Sequence, residues 1–134
     1  MAKKALTERD VRRAIIIWLG RQGYNTNLKE KETHEHGVDI KVKHKNYGKY
    51  YLVEVKGDRW VEVNFIQALG QIVSRMDTAN YNYALGFPIS YKSRVMQRLP
   101  WMLCKRLKLR ILLVEDNRKV NEVTWKELRT QQRS

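Results

Sequence analysis

Apolar residues near the start of the chain recur at helical intervals. Val11, Ala14, Ile15, Trp18 and Leu19 share one face of a 3.6-residue repeat. Thr7 is a good N-cap, Asp10 three residues later completes a box-like cap, and Gly20 and Gly23 end the helix. The period then changes. Tyr24 to Glu30 predicts a first, partly polar strand. Val38-Asp39-Ile40-Lys41-Val42-Lys43 alternates strictly, which is a strand signal, and Asn46-Tyr47-Gly48-Lys49 is a turn. In the next strand Tyr51, Val53 and Val55 take one face and Leu52, Glu54 and Lys56 the other, and Gly57-Asp58 closes it. Two strands joined by so short a turn predict an antiparallel hairpin.

Helical spacing returns from Val63 to Met76, with Phe65, Ile66, Leu69, Ile72, Val73 and Met76 as the buried side. Tyr81 to Phe87 predicts a strand ended by Pro88. Val95, Met96, Leu99, Met102 and Leu103 are helical in spacing, and Pro100 must kink or divide that stretch. Leu109 to Glu115 is a strongly apolar core strand, and Val120 to Val123 adds an edge strand. Thr124 begins a capping box for a terminal helix, with a frayed tail from Thr130 to Ser134. No repeat, linker or low-complexity block interrupts the order. It predicts an α/β class, with a mixed central sheet flanked by helices, as a single domain over residues 1–134.

Charge adds a partner. The chain has 27 Lys and Arg against 14 Asp and Glu, a formal charge of +13. Such an excess implies a polyanion, either nucleic acid or an anionic membrane surface. The longest apolar run, Ala14 to Leu19, falls far short of the ~20 residues a spanning helix needs, so no membrane partner is expected. The start, MAKKALTERD, lacks the form of a signal peptide, and the lone Cys104 fits a reducing, cytoplasmic setting.

Acidic side chains on a core strand need a chemical reason. Glu54 and Lys56 lie two apart and project from one face of their strand, between apolar Val53 and Val55. Burying such a charge costs several kcal/mol unless it is paired or metal-bound. Asp39 points to the face opposite Val38, Ile40 and Val42. If it shares the face of Glu54, two carboxylates and an ammonium converge. Two carboxylates form a hard-oxygen site suited to Mg²⁺, with Mn²⁺ able to substitute, and the Val55 carbonyl can add a ligand. The metal would polarise a phosphodiester and acidify a bound water, with Lys56 orienting the water or stabilising phosphate charge.

Gly37-Val38-Asp39 followed by Glu54-Val55-Lys56 after a hairpin resembles the PD-(D/E)XK nuclease superfamily, which includes restriction endonucleases and archaeal Holliday-junction resolvases. The usual Pro before the Asp is Val38 here. The resemblance implies a three-layer restriction-endonuclease-like fold, metal binding by Asp39 and Glu54, and a Lys56 that acts beside the attacking water. Members often carry a Glu on the first helix that joins the metal site, which Glu8 fits, and a Gln on the helix after the Lys strand, which Gln71 fits, with Gln67 one turn earlier. Members often act as dimers, which implies a homodimer. The small size, basic charge and helix Glu are similar to the junction resolvases. The Ala68-Leu69-Gly70-Gln71 helix and the Leu113-Val114-Glu115-Asp116 strand are similar to small nuclease-like proteins encoded near mobile elements. The implied activity is Mg²⁺-dependent hydrolysis of DNA by an endonuclease.

Basic and aromatic residues supply candidates for holding DNA. Lys41 and Lys43 lie beside the expected site, Arg59 and Trp60 follow the catalytic strand, and Arg94 and Arg98 sit on the third helix. His36 is expected at the site entrance or on a phosphate. With one distant cysteine, His34 and His36 make no zinc pattern. Two alternatives stand beside a nuclease. One is a non-catalytic nucleic-acid-binding module on the same fold. The other is an RNA binder whose charge is the whole story, which would have no reason to set Asp39 in phase with Glu54 and Lys56.

Overall fold

In the computed structural model, which describes residues 5–26, 40–76 and 81–133, Thr7 opens helix α1 (Glu8–Arg21) with a complete capping box. Its hydroxyl accepts from the Asp10 N–H at 3.1 Å, and the Asp10 carboxylate accepts from the Thr7 N–H at 3.0 Å. Asp therefore does here what Glu usually does. Strands β1 (Ile40–Lys43) and β2 (Tyr50–Val55) form the expected antiparallel hairpin, with Ile40 opposite Val53 and Lys43 opposite Tyr50.

Helix α2 (Val61–Ser74) then carries the chain to β3 (Tyr81–Pro88), which lies parallel to β2. A short 3-10 turn, α3 (Lys92–Arg98) and α4 (Trp101–Leu107) lead to β4 (Leu109–Val114), parallel to β3. The edge strand β5 (Val120–Val123) runs antiparallel to β4, and α5 (Trp125–Arg133) follows. The five strands are ordered as in the sequence. This is a three-layer α/β architecture with a mixed sheet.

The two faces of the sheet are covered differently. On one, α1 packs Val11, Ile15 and Leu19 against Ile40, Val53, Val55 and Leu112. On the other, Phe65, Ala68 and Ile72 of α2 and Val95, Leu99 and Leu128 of the later helices close over Leu52, Leu85, Phe87 and Leu113. Strands covered on both faces read as nearly continuous apolar runs. Every residue of β2 from Tyr51 to Val55 is buried, Glu54 included.

Several expectations are corrected. Tyr24 makes an isolated bridge to His44, not a strand, and residues 27–30 lie outside the described residues. The second helix starts at Val61, and Ile66 and Val73 are exposed. Its sheet-facing side is the one through Phe65, Ala68 and Ile72, which turns Ile66 and Val73 away. Pro100 divides the third helical stretch as expected, acting as N-cap of α4. The tail expected to fray is helical through Arg133. The Gln132 side-chain amide donates to the carbonyls of Met96 and Leu99 at 3.1 and 2.6 Å and accepts from the Trp101 N–H at 3.2 Å. That pins the end of α5 to the α3–α4 junction.

Candidate active site at the end of the second strand

Alternation along β2 turns Leu52 and Glu54 toward α2, and Tyr51, Val53 and Val55 toward α1. Glu54 is 2% exposed. Its carboxylate accepts from Arg75 Nε at 3.2 Å, and Arg75 is itself 32% exposed at the C-cap of α2. A carboxylate so placed has lost its water and depends on partners supplied by the protein.

Beyond Val55 the strand end is clamped from several sides. The Lys56 N–H donates to the Gly86 carbonyl at 3.0 Å, and the Asp58 N–H to the Leu6 carbonyl at 2.8 Å. The Tyr91 hydroxyl donates to the Gly57 carbonyl at 2.6 Å, and Ser90 Oγ to the Asp58 carboxylate at 2.9 Å. Burial raises the Tyr91 phenol above its ordinary value, and the charges of Asp58 and Glu8 add to that; a hydrogen bond with Asn64 pulls the other way. Gly57 is there because nothing larger fits. A Cβ on it would run into the backbone nitrogen of Glu8 and lie 2.9 Å from the Thr7 carbonyl carbon. The absent side chain is what allows the start of α1 to meet the end of β2.

This meeting forms a cleft of about 690 Å³ lined by residues 5–8, 56–60 and 64. Glu8 and Lys56 both open onto it. Glu8 is the first residue of α1 and lies 3.8 Å from the buried Arg12 one turn later. At the mouth, Trp60 caps α2 in a left-handed conformation (φ 50°, ψ 50°) and is 77% exposed. A bulky L-residue held there costs roughly 1–2 kcal/mol, and the indole gains no burial in return.

The other expected site residues divide clearly. Val55 pairs in the β2–β3 ladder opposite Gly86, beside the site. Gln67 and Gln71 are exposed on α2, and neither lines the cleft. The α2 flank that reaches Glu54 ends in Arg75, one turn after Gln71. Arg75 was missed in the sequence; its signal was its place as the first basic residue after Arg59, ending a helix with no other. Asp39 and His36 lie outside the described residues, as do His34 and Val38. Lys41 and Lys43 are exposed, with their ammonium groups 5.0 and 5.8 Å from the Tyr50 ring centre. Arg59 is exposed beside Trp60. Arg94 and Arg98 are not free-standing cations, since both pair with Glu62, at 2.6 and 3.0 Å.

Among the described residues no three His, Cys, Asp or Glu side chains gather as a metal-holding group. The donors at this strand end are nonetheless of one kind. Glu54 and Glu8 carry carboxylate oxygens and Val55 a carbonyl, the hard donors that Mg²⁺ and Mn²⁺ prefer. Glu54 and Val55 do not line the cleft onto which Glu8 opens, so a cation held by all three would have to lie between the cleft and the buried Glu54 and share that carboxylate with Arg75.

Fold and strand end together define a class: an α/β protein with its charged residues at the carboxyl end of a central strand, where open α/β sheets usually place their ligands. Among solved structures the chain is similar to an XisH family protein from Nostoc punctiforme, with 15% sequence identity, a TM-score of 0.57, and coverage of 84% of this chain and 96% of that one. At that identity the likeness shows the fold alone. No protein-family model matches the chain, and no curated protein matches it in sequence. Among the described residues, no helix is long and apolar enough to cross a membrane.

Proposed function

We propose that this protein is a metal-dependent DNA endonuclease of the PD-(D/E)XK type. The observation that carries the reading is Glu54, a carboxylate 2% exposed on a core strand, two residues before a lysine that opens onto a cleft shared with Glu8. A fold does not place a charge there for stability, because an apolar residue of similar size would serve at least as well. The resemblance of Gly37-Val38-Asp39 and Glu54-Val55-Lys56 to the superfamily is what adds Asp39 to the proposed site.

Asp39, Glu54, the Val55 carbonyl and Glu8 would hold Mg²⁺, which when bound supplies charge for the phosphate and acidity for water. Lys56 orients the attacking water and donates to the phosphate as negative charge builds. The water oxygen bonds to phosphorus as the opposite P–O bond breaks, and the leaving oxygen takes a proton. Trp60, strained and uncovered at the mouth, is suited to stacking on a base. A homodimer would present two such sites to two strands, and light scattering on the purified chain tests it.

The test is a cleavage panel of linear duplex, single strand, flap and four-way junction with Mg²⁺, Mn²⁺ or EDTA. Wild type is expected to cut at least one substrate with metal and none in EDTA. Lys56→Ala and Asp39→Ala are each expected to lose about 10²–10³-fold in rate. A wild type that cuts nothing, or a Lys56→Ala variant that cuts normally, overturns the reading. One observation favours the non-catalytic alternative: Arg75 already partners Glu54 at 3.2 Å, so Glu54 does not require a cation. That alternative predicts DNA binding indifferent to metal and to Asp39→Ala.

A further inference from the structure

Helices α4 and α5 pack on the same face of the sheet as α2, and neither contributes a residue to the lining of the cleft. There Trp101 of α4 and Trp125 of α5 stack with ring centres 6.0 Å apart. Each indole carries two cations. Lys105 and Lys126 stand 4.8 and 5.8 Å from the Trp125 ring centre, and Arg129 and Arg133 stand 5.1 and 5.9 Å from that of Trp101. None of the four is in an ion pair among the described residues. Glu127, the one acid of α5, and Glu122 line an adjoining groove that Lys126 also borders. Gln132 locks the arrangement, because its three hydrogen bonds tie α5 to the residues on either side of Pro100.

Four like charges, none in an ion pair among the described residues, repel one another, and the indole faces only partly offset that. The surface is also pre-shaped. A guanidinium lying on an indole keeps its in-plane N–H donors pointing outward, so little freedom is lost when it meets a phosphate. The rings are already engaged by each other and by the cations, so bases have little ring surface left to stack on. The surface therefore reads backbone charge and not sequence.

We infer that the Trp101–Trp125 cluster of α4 and α5 is a second docking surface for the phosphate backbone of duplex DNA, separate from the cleft. The inference rests on the reading that DNA is the ligand. It makes the two surfaces divide the work: α4 and α5 anchor the duplex, and the strand end of β2 acts on it. An anionic membrane fits less well, because peripheral binding also needs apolar side chains to insert. Among the described residues, Met102 is the one large apolar side chain exposed on these two helices.

The experiment measures anisotropy of a fluorescein-labelled duplex across a salt series in EDTA, so that its outcome is independent of cleavage. Changing Lys105, Lys126, Arg129 and Arg133 together to Gln is expected to weaken binding at least about tenfold and to flatten the log–log salt slope by about 3–4. A variant with Arg13, Arg21, Lys45 and Lys49 changed to Gln loses the same charge elsewhere, and its slope is expected to change by less than about 1. Equal effects from the two variants overturn the inference. So does a cluster variant that loses binding to phosphatidylserine vesicles while holding DNA normally. Lysine acetylation footprinting on the wild-type chain stands even if the cluster variant misfolds. Duplex DNA is expected to protect Lys105 and Lys126 but not Lys45 and Lys49, and unprotected Lys105 and Lys126 refute the surface.

Discussion

Helix α2 has a Glu–Arg contact near each end. At its start Glu62 holds Arg94 at 2.6 Å and Arg98 at 3.0 Å; at its end Arg75 meets Glu54 at 3.2 Å. By distance and number the first cluster is the better one. Environment reverses the ranking. Glu62 is 42% exposed and its two arginines 40% and 53%, so water screens the pairs and competes for every charge. Such contacts are worth about 0–1 kcal/mol. Glu54 is 2% exposed and cannot be rehydrated without opening the core. Its pairing is a condition of its burial. The first cluster adjusts a surface, while the second holds a buried charge that an apolar residue could replace without loss of stability.

The sharpest way to break this comparison is to remove Arg75. Arg75→Ala takes a charge-assisted bond from a buried carboxylate and is expected to cost about 2–3 kcal/mol, read from urea midpoints. Glu54→Leu is expected to fold within about 1 kcal/mol of wild type, or more stably, because Arg75 can turn to water. It should at the same time lose cleavage. A strongly destabilised Glu54→Leu would mean that the pair is structural after all.

The next effect tests whether the buried pair depends on the clamp beside it. Gly57→Ala forces the start of α1 and the end of β2 apart, which is expected to cost about 1–3 kcal/mol and to lower cleavage as Glu8 leaves Lys56. The Glu62 cluster should not respond, so the DNA-binding salt slope stays as in wild type.

Tyr91→Phe removes the hydroxyl that holds the Gly57 carbonyl and is expected to cost about 1 kcal/mol. It also has a pH signature. The folded phenol titrates above its ordinary value of 10.0. Its contribution is therefore complete below the unfolded value and is lost as pH rises through the folded one. Melting curves from about pH 8 to 11 should show wild type losing alkaline stability that Tyr91→Phe does not lose.

The smallest stability effect belongs to the exposed cluster. Glu62→Gln is expected to cost less than about 1 kcal/mol. It releases Arg94 and Arg98, so duplex affinity should rise and the salt slope steepen by up to about 2 if both then meet phosphates. Unchanged binding would remove these two arginines from the DNA surface.

The alternation of β1 and β2 and the helical face of α1 were legible because each element's period is a property of adjacent residues. Glu8 shares a helix face with Val11, Ile15 and Trp18, and the structure leaves it 45% exposed at the cleft. The outward turn of Ile66, Gln67 and Gln71 was not legible. An apolar helix such as α2 offers more than one face to a sheet, and only the packing of Phe65, Ala68 and Ile72 chose between them. Neither was the held end of α5, because Gln132 is polar in any local pattern and is structural only through partners more than thirty residues away.

By itself, then, the sequence determined the order and type of most elements, the hairpin whose alternation sets Glu54 on the face opposite Val53 and Val55, and a strong excess of positive charge. These follow from short-range periodicity and composition. The tertiary structure decided which cations remain exposed, that Arg75 and not Gln71 reaches Glu54, and that Gly57 lets two chain ends meet in a cleft. Those depend on distances between residues far apart in the chain, and no local pattern encodes a distance.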